Sequence, residues 1–514
     1  MKSHRDTSCC NSNSKMCFMH LSANIFIYCI LCLTSVSICA ATKSSQPDNA
    51  KHEEILLDQD LSVITAPADR VESFNRLPPP HTGVNGACPT GVPKGIINLA
   101  QVVTRALCND PRTRQSWAEA VSQAAQVGIE RSAYLPSAEA SVGGGPDRVW
   151  QNEQAANDNN AIGSTVGNSN SASLDFTWTL FDFGQRAAAV KSARQTLLAA
   201  TAIHDATVQT VFLEAAGAYY DLISAQNALD NAKEVEEFNR HTLTDAEARA
   251  KRDGGIEESE KLQAQSSLEQ AALDLNSAQG DLLKAQGELA VALGFAPNIK
   301  LSVDTNDASA PDKKLDRTID QLMEQALSTH PEIRAAQARV EAALANIDEA
   351  KRAHLPTVKL VQGNEWDRDV WGGKQWENTL ALRMNIPLFD RSRHFRKQAA
   401  IADLDNARAD MVSSRRKIAL DVWSAYQSLK TQRAAIDRSK NLLDTARKLL
   451  KAEQNLYKSG DGDMLDLLYA QQTVADASQG RLDALTGWRV ARLKLAASLG
   501  QLGFWAIREP TDKK

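Results

Sequence analysis

A short acidic stretch near residue 460 holds the side chains best suited to chemistry in this sequence. Between positions 457 and 469 it reads YKSGDGDMLDLLY, with Asp461, Asp463 and Asp466 lying between the phenols of Tyr457 and Tyr469. Carboxylates beside glycines are typical of a turn, where an aspartate can accept N–H bonds at the start of the next helix. The chemistry that these residues support is therefore charge and hydrogen bonding.

The N-terminus has the three parts of a secretory signal. Basic residues precede the apolar run IFIYCILCLTSVSI, and the small residues Ala40 and Ala41 follow it. Its 14 apolar positions are short against the roughly 20 that a membrane-spanning helix needs, so cleavage near Ala40 is favoured over a permanent anchor. Lipid modification of Cys39 is disfavoured, because the bulky Ile38 precedes it. We therefore expect an exported protein.

Cysteine usage agrees with export. Six of the eight cysteines lie in or before the signal, which leaves Cys88 and Cys108 in the mature chain. In an oxidising compartment these two thiols are candidates for a disulfide that would attach the N-terminal linker to the first helix. Two unpaired cysteines are the alternative.

Catalytic and metal-binding patterns are missing from the mature sequence. No glycine-rich loop ends in Gly-Lys-Ser or Gly-Lys-Thr, and no histidine accompanies a plausible triad. Neither a Cys-x-x-Cys pair nor a histidine cluster suggests a metal, so we expect no enzyme, cofactor or metal site. The formal net charge of −5 makes nucleic acid a poor partner, and 43% hydrophobic residues allow large cores. Only 5% of the residues are aromatic, and the second half of each repeat is dominated by Ala, Leu, Gln, Glu, Lys, Arg and Asp, a mix that suits long helices.

The mature chain contains one plan twice. RALCNDPRTRQSWAEA matches QALSTHPEIRAAQARV, and Pro111 and Pro136 recur as Pro331 and Pro356, at an offset of 220. The offset falls to 208 at two Leu-Phe-Asp motifs and to 206 at the ends of the units. Register kept over this distance indicates a tandem repeat. The predicted segments are a signal peptide (1–40), a flexible linker (41–95), a first repeat (96–295), an inter-repeat linker (296–316), a second repeat (317–503) and a tail (504–514).

Each repeat orders a helix, two strands and two long helices. The stretches SLDFTWTL and TLALRMNIPL alternate apolar and polar residues, which is typical of a strand with one apolar face. Weaker alternation around Ala140 and Leu360 predicts their partner strands. The first helix of each repeat covers Leu99 to Tyr134 or Ile319 to His354, with a break at the internal proline.

The second half of each repeat is free of proline. A helix from Gln185 to Lys251 would be about 100 Å long, which implies coiled-coil or barrel-like packing. Glycine permits the reversal into an antiparallel partner helix. The glycines at the two expected reversals are Gly254, Gly255, Gly460 and Gly462.

Four strands with an apolar outer face cannot close a membrane barrel alone, because every backbone donor in lipid must be paired. Three protomers would give a closed wall of twelve strands, and a dimer with eight is also allowed. A soluble helical protein with two hairpins is the alternative, but it leaves the apolar faces unexplained. Asp175, Arg383 and Asn385 would line water. The expected lipid-facing residues are Leu174, Phe176, Trp178, Leu380, Leu382, Met384 and Ile386.

From about position 96 to 503 the sequence resembles the TolC family of outer-membrane efflux and secretion ducts. The resemblance is carried by the repeat, TLFDFGQR, IPLFD and YKSGDGDMLDLLYAQQTVADA. It implies an α+β membrane duct in which a homotrimer forms a 12-stranded β-barrel in the outer membrane and a 12-helix periplasmic tunnel. Phe181 and Phe389 would then end strands, while Asp182 and Asp390 would cap the long helices.

The resemblance also implies a closing network at the inner end of the tunnel, built in the family from a tyrosine, an arginine and two aspartates. Tyr457 matches the tyrosine and Asp466 the first aspartate. Gly462 stands at the arginine and Tyr469 at the second aspartate, so the sequence departs at two of four positions.

Neighbouring carboxylates could replace the missing negative charge. Asp461 and Asp463 are in place for this, and three copies of each around an axis would favour cations in a narrow entrance. The alternative is that these aspartates only solvate a turn and cap a helix.

The function that the resemblance implies is a passive exit duct driven by its partners. These are a periplasmic adaptor, which would grip the turns at Gly254, Gly255, Gly460 and Gly462, and an inner-membrane ABC or proton-driven transporter. The FDFGQR motif, the proline-poor body and the poor lipidation signal favour the type I secretion branch, with an exported protein rather than small molecules as cargo. A periplasmic adaptor and a structural envelope coiled coil are the alternatives.

Overall fold

The computed structural model describes residues 88–89, 91–93, 95–152, 162–253, 257–304, 318–369 and 372–502. The described residues all belong to one compact unit. The expected signal peptide (1–40) and tail (504–514) lie outside the described residues, as does most of the linker 41–95.

Eight α-helices in two sets of four make up most of the described chain. Corresponding helices of the two sets have 11, 22 and 69 residues in both, and then 36 and 35. The tandem repeat is therefore visible in the fold. The helices are α1 (Leu99–Asn109), α2 (Pro111–Ser132), α3 (Gln185–Asp253), α4 (Glu257–Ala292), α5 (Ile319–Thr329), α6 (Pro331–Arg352), α7 (Arg391–Ser459) and α8 (Met464–Ser498).

The first helix of each repeat breaks at its internal proline, as the sequence predicts. Pro111 and Pro331 are the first residues of α2 and α6, where a missing N–H costs nothing. The residue before each proline caps the new helix. Asp110 accepts the N–H of Arg112 at 2.7 Å, and His330 Nδ1 accepts that of Glu332 at 3.2 Å.

Two helical hairpins form the long body of the protomer. At 69 residues each, α3 and α7 are about 100 Å long. Helix α4 returns along α3, and α8 returns along α7. Because α8 also packs against α3, the hairpins lie side by side with α4 and α7 at the two outer positions. A core around Tyr219, Leu289 and Leu493 joins α1, α3, α4 and α8.

Four antiparallel strands form a sheet in the order β2-β3-β5-β6. Adjacent strands share register, so Trp178, Leu360 and Leu382 lie side by side on one face. The large apolar side chains predicted to face lipid are exposed, for example Leu382 at 68%. The strands are β2 (Ser137–Asn152), β3 (Ile162–Phe181), β5 (Thr357–Arg368) and β6 (Lys374–Asn385).

The prediction that Phe389 ends a strand is wrong. Strand β6 ends at Asn385, four residues earlier, and Ile386 is also outside it. Pro387 follows directly, and a residue without an N–H cannot donate to the ladder. Phe389 is instead 90% exposed in the segment that leads to α7.

A second, very small sheet was not predicted. Strand β1 (Ile96–Ile97) pairs in parallel with β4 (Ser302–Val303). It ties the start of the first repeat to the chain that leaves it. Among the described helices, none combines the length and the hydropathy needed to cross a bilayer.

Candidate functional site

The first strand-to-helix junction is organised by a buried carboxylate. Phe181 is the last residue of β3, and Asp182 is only 7% exposed. The carboxylate of Asp182 accepts N–H bonds from Gly184 at 3.1 Å and from Arg186 at 2.8 Å, and it also accepts the Arg186 Nε–H at 2.9 Å. Asp182 therefore holds the first turn of α3 to the end of the strand.

Arg186 extends this junction to the preceding helix. Its Nη1 donates to the carbonyl oxygens of Ala133 at 2.9 Å and Thr179 at 2.8 Å. Its guanidinium also lies 4.4 Å from the centroid of the Tyr134 ring. One side chain thus connects the end of α2, the end of β3 and the start of α3.

The second junction repeats this arrangement. Asp390 caps α7 by accepting the N–H of Ser392 at 2.9 Å, and it pairs with Arg393 at 3.1 Å. Arg393 Nη1 donates to the carbonyl of Ala353 at the end of α6. Ala353 lies 220 positions after Ala133, so the two arginines contact equivalent carbonyls of the two repeats.

Both junction carboxylates are stabilised in their charged form. Burial would raise the pKa of Asp182, but the hydrogen bonds from Arg186 and Gly184 outweigh it, and the pKa lies below its usual value. Hydrogen bonds from Ser392, with a further one from Arg393, lower the pKa of Asp390. Both residues therefore carry a charge at neutral pH.

The first junction also contacts the second repeat. Arg352, the last residue of α6, donates from Nη1 to the carbonyl of Phe183 at 3.0 Å. Phe183 and Gly184 both have a positive φ, of 54° and 82°. The left-handed backbone conformation at position 184 would strain any residue with a side chain, and a Cβ there would also have to displace the Arg352 guanidinium, so glycine fits this position best.

The turn between α7 and α8 explains four residues of the acidic stretch. Gly460 ends α7 in the left-handed conformation at φ 89°. A Cβ at Gly462 would lie 2.6 Å from the backbone nitrogen of Tyr457. Asp463 caps α8 by accepting the N–H of Leu465 at 3.0 Å, and Asp461 accepts a bond from Ser459 at 3.1 Å. Asp461 and Asp463 therefore have the turn and capping contacts that the alternative interpretation expects.

Tyr457 lies inside the tip, where the two hairpins meet. It is 4% exposed and packs in one cluster with Ala246, Ala264 and Met464. Arg249 of α3 stacks on the Tyr457 ring, with its guanidinium carbon 3.8 Å from the ring centroid, and donates to the Tyr457 carbonyl. A cation from the first hairpin thus contacts the tyrosine, at a turn where Gly462 provides none.

Burial raises the pKa of Tyr457. The carboxylates of Glu260 and Asp245 add to this rise, while the Arg249 guanidinium opposes it. The phenol is therefore neutral and packed rather than acidic.

Two other predicted residues of the entrance lie on the surface of α8. Asp466 is exposed, and Tyr469 is 70% exposed, one turn further along the same helix. Neither contacts Tyr457 through a hydrogen bond or an ion pair in the described residues. The predicted reversal residues Gly254 and Gly255 lie outside the described residues, between α3 and α4.

Cys88 and Cys108 form a disulfide with their Cα atoms 5.7 Å apart. The bond attaches residue 88 to the end of α1. Nearby, Arg105 Nη1 donates to the carbonyl of Gly91 at 2.8 Å. The chain before the first repeat is therefore held to α1 at two points.

Sequence reasoning missed the arginines that join elements at these sites, Arg352 among them. Arg186 and Arg393 follow the two Leu-Phe-Asp motifs by four and three residues, so a common basic residue after each motif was a usable signal. Arg249 and Tyr457 are 208 positions apart, and no local pattern joins them.

Comparison with known proteins gives one family. The family model for "Outer membrane efflux protein" matches residues 102–295 and 322–501, which are the two repeats. Protein CyaE of Bordetella pertussis is 31% identical over 410 residues, covering 79% of this chain and 84% of CyaE.

Two further proteins are similar in sequence or fold. Outer membrane protein TolC of Escherichia coli is 23% identical over 444 residues, covering 79% of this chain and 82% of TolC. The crystal structure of the Campylobacter jejuni CmeC outer membrane channel has the same fold, with a TM-score of 0.67 at 18% identity over 82% of this chain and 91% of CmeC. Because the family model matches both repeats and CyaE is similar along most of its length, the protein belongs to the outer membrane efflux protein family, a family of outer-membrane channel proteins.

Proposed function

We propose that three copies of this chain form one duct, with a 12-stranded β-barrel in the outer membrane and a 12-helix tunnel in the periplasm. The observation that carries this proposal is the sheet order β2-β3-β5-β6, which leaves β2 and β6 each with one neighbouring strand among the described residues. An apolar sheet face in lipid tolerates no open edge. Strand β6 of one protomer would therefore pair with β2 of the next.

The outer helices of the protomer support the same assembly. Helices α4 and α7 occupy the two outer positions, and both expose large apolar side chains. Leu273 and Leu283 of α4 are 63% and 62% exposed, and Leu420 and Trp423 of α7 are 64% and 50% exposed. In a ring of hairpins, α4 of one protomer would cover α7 of its neighbour. Each copy adds four long helices to that ring.

The hairpin tip would form the inner entrance of the tunnel. Tyr457 and Arg249 hold the second hairpin against the first, while Asp466 and Tyr469 are available on the α8 surface. We infer that the Arg249 contact keeps the tip closed and that Asp466 attracts cations to it. Docking of a periplasmic adaptor at the turns containing Gly254, Gly255, Gly460 and Gly462 would separate the hairpins.

The cargo in this proposal is an exported protein, delivered by an inner-membrane ABC transporter in a type I secretion system. The FDFGQR motif, the scarcity of proline in the long helices and the poor lipidation signal favour this branch. Small-molecule efflux with a proton-driven transporter is the second candidate, because the toluene efflux pump outer membrane protein TtgF of Pseudomonas putida is 24% identical over 416 residues.

A mass measurement combined with conductance tests the proposal. The detergent-extracted mature protein should have three times the mass of one chain by light scattering and should form stable pores in a planar bilayer. A mass of two chains would favour an eight-stranded dimer. A folded protein without pores would favour an adaptor or a structural coiled coil.

A further inference from the structure

Two basic side chains lie directly opposite each other in the four-stranded sheet. In the antiparallel register of β5 and β6, Lys359 is the partner of Arg383. Like charges at directly opposed positions destabilise a sheet. The stability of a single protomer therefore does not explain why Lys359 and Arg383 are paired. Neither residue forms an ion pair with any described part of the chain.

Acidic residues are paired in the same way on the same face. Glu139 of β2 is the partner of Asp175 of β3, and Glu365 of β5 is the partner of Glu377 of β6. These four carboxylates also lack an ion pair among the described residues. Charge is thus sorted by sign along one face of the sheet.

Strand alternation places these charges away from lipid. Lys359 and Arg383 are each one residue from Leu360 and Leu382, which point to the opposite face. That opposite face carries the apolar side chains. If it meets lipid, as the proposed function requires, the charged face lines the lumen of the barrel.

The basic and the acidic side chains also lie at different heights along the strands. Lys359 is the third residue of β5, close to the end of α6. Asp175 of β3 lies opposite Gly363 of β5, so the position of Gly363 gives the height of Asp175 in the sheet. Four residues separate Lys359 from Gly363, roughly 13 Å along the strand. Glu365 lies two residues further toward the loop. The cations are therefore nearest the helices, and the carboxylates lie beyond them.

We propose that Lys359 and Arg383 form a basic ring where the helical tunnel enters the barrel, followed by an acidic belt of Glu139, Asp175, Glu365 and Glu377. This inference rests on the proposed duct. Charged groups around a narrow lumen with low-dielectric walls focus the field on passing solutes. The ring favours the anionic groups of a solute, and the belt favours cations, so the two determine the charge selectivity of the exit.

Reversal potentials in a KCl gradient test this proposal on the full mature protein. The double variant Lys359→Gln and Arg383→Gln should raise the permeability ratio of K⁺ to Cl⁻ by roughly threefold or more. Arg368→Gln with Lys374→Gln is the matched control, because these cations form an opposed pair in the same two strands but on the other face. The control should leave the ratio unchanged. Neutralising the acidic belt should lower the ratio.

Chemical modification of an open pore avoids any effect on folding. Arg383→Cys is prepared, and a positively charged methanethiosulfonate reagent is added to the inserted channel. The positively charged reagent should return the permeability ratio of K⁺ to Cl⁻ toward the wild-type value. A negatively charged reagent should move this ratio further from the wild-type value. Equal effects of the lumen and control variants, or no response to the reagents, would overturn the charge ring while leaving the duct intact. Failure of the wild-type protein to form pores would instead refute the proposed function.

Discussion

The guanidinium of Arg249 stacks on the ring of Tyr457 and also donates to its carbonyl oxygen, which joins the two hairpins at their tip. A cation over an aromatic face contributes roughly 0.5–2 kcal/mol, and a hydrogen bond from a charged donor adds to it. These contacts lie where the turn between α7 and α8 meets the first hairpin.

Arg249→Ala should therefore loosen the tip. We expect a larger single-channel conductance than that of the wild-type protein, because the second hairpin loses a polar contact with α3 at the tip. Arg240→Ala on the same helix is the control, since Arg240 pairs only with the nearby Glu236 on α3 in the described contacts. An unchanged conductance in Arg249→Ala would show that this contact does not limit the entrance.

Variants at Asp466 and Asp463 should distinguish the attraction of cations to the entrance from the capping of α8. Asp466→Asn should lower the cation preference of the pore with little change in melting temperature, because the exposed Asp466 caps no helix. Asp463→Ala should cost about 1 kcal/mol of stability, because α8 loses its N-cap. Reversal potentials and thermal melts measure the two effects. A cation preference that is insensitive to Asp466→Asn would leave Asp466 with no role in the entrance.

Position 462 should tolerate no side chain. Gly462→Ala places a Cβ against the backbone of Leu456 and Tyr457 and should destabilise the tip by about 2 kcal/mol. Gly480→Ala in α8 is the matched control, because its Cβ would meet no atom within 4 Å. That variant should gain about 0.5–1 kcal/mol from a better helix former. Thermal melts that do not separate the two variants would contradict this description of the turn.

Asp182 should make stability depend on pH. Its pKa is lowered in the folded protein, so its contribution is present above the unfolded value of about 3.9 and disappears as the pH falls through the folded pKa. Asp182→Asn should therefore lower the melting temperature at pH 7, and the difference from wild type should vanish in acid. Asp230→Asn, at an exposed carboxylate of α3, is the control. An equal deficit at both pH values would point to packing rather than charge.

The disulfide should protect the chain before the first repeat. Reduction, or Cys108→Ser, removes a cross-link that closes 20 residues and is worth about 3 kcal/mol in the chain-entropy account. We expect faster proteolysis near residue 88 and unchanged pore conductance, because the bond is attached to α1 rather than to the tip. Unaltered proteolysis would mean that the contact of Arg105 with Gly91 is sufficient.

Much of the fold could be predicted from local patterns. The absence of proline predicts α3 and α7, and period-two alternation predicts β3 and β6, because both signals lie in neighbouring residues. The end of β6 was placed too late, because the alternation continues through Ile386 and Leu388 although Pro387 cannot join the ladder. The small β1–β4 sheet was missed, since two-residue strands carry no periodic signal.

The candidate site was less predictable, because its contacts join residues that are far apart in the sequence. The capping roles of Asp182 and Asp390 follow from their place before a helix, which is a local rule. The stacking of Arg249 on Tyr457 depends on how two hairpins pack, and the burial of Tyr457 follows from that packing. The resemblance to the family was read position by position along the sequence. It could therefore show that Gly462 replaces the family's arginine, but not that Arg249 of another helix contacts Tyr457.

The sheet with two open edges has a consequence for how the protein is made. A newly exported protomer presents the unpaired sides of β2 and β6 together with an apolar face, so it is a substrate for proteases and for self-association until it meets its neighbours. Biogenesis is then a concentration-dependent reaction in which assembly precedes or accompanies insertion. Cells that make too few copies should accumulate degradation products rather than half-formed pores.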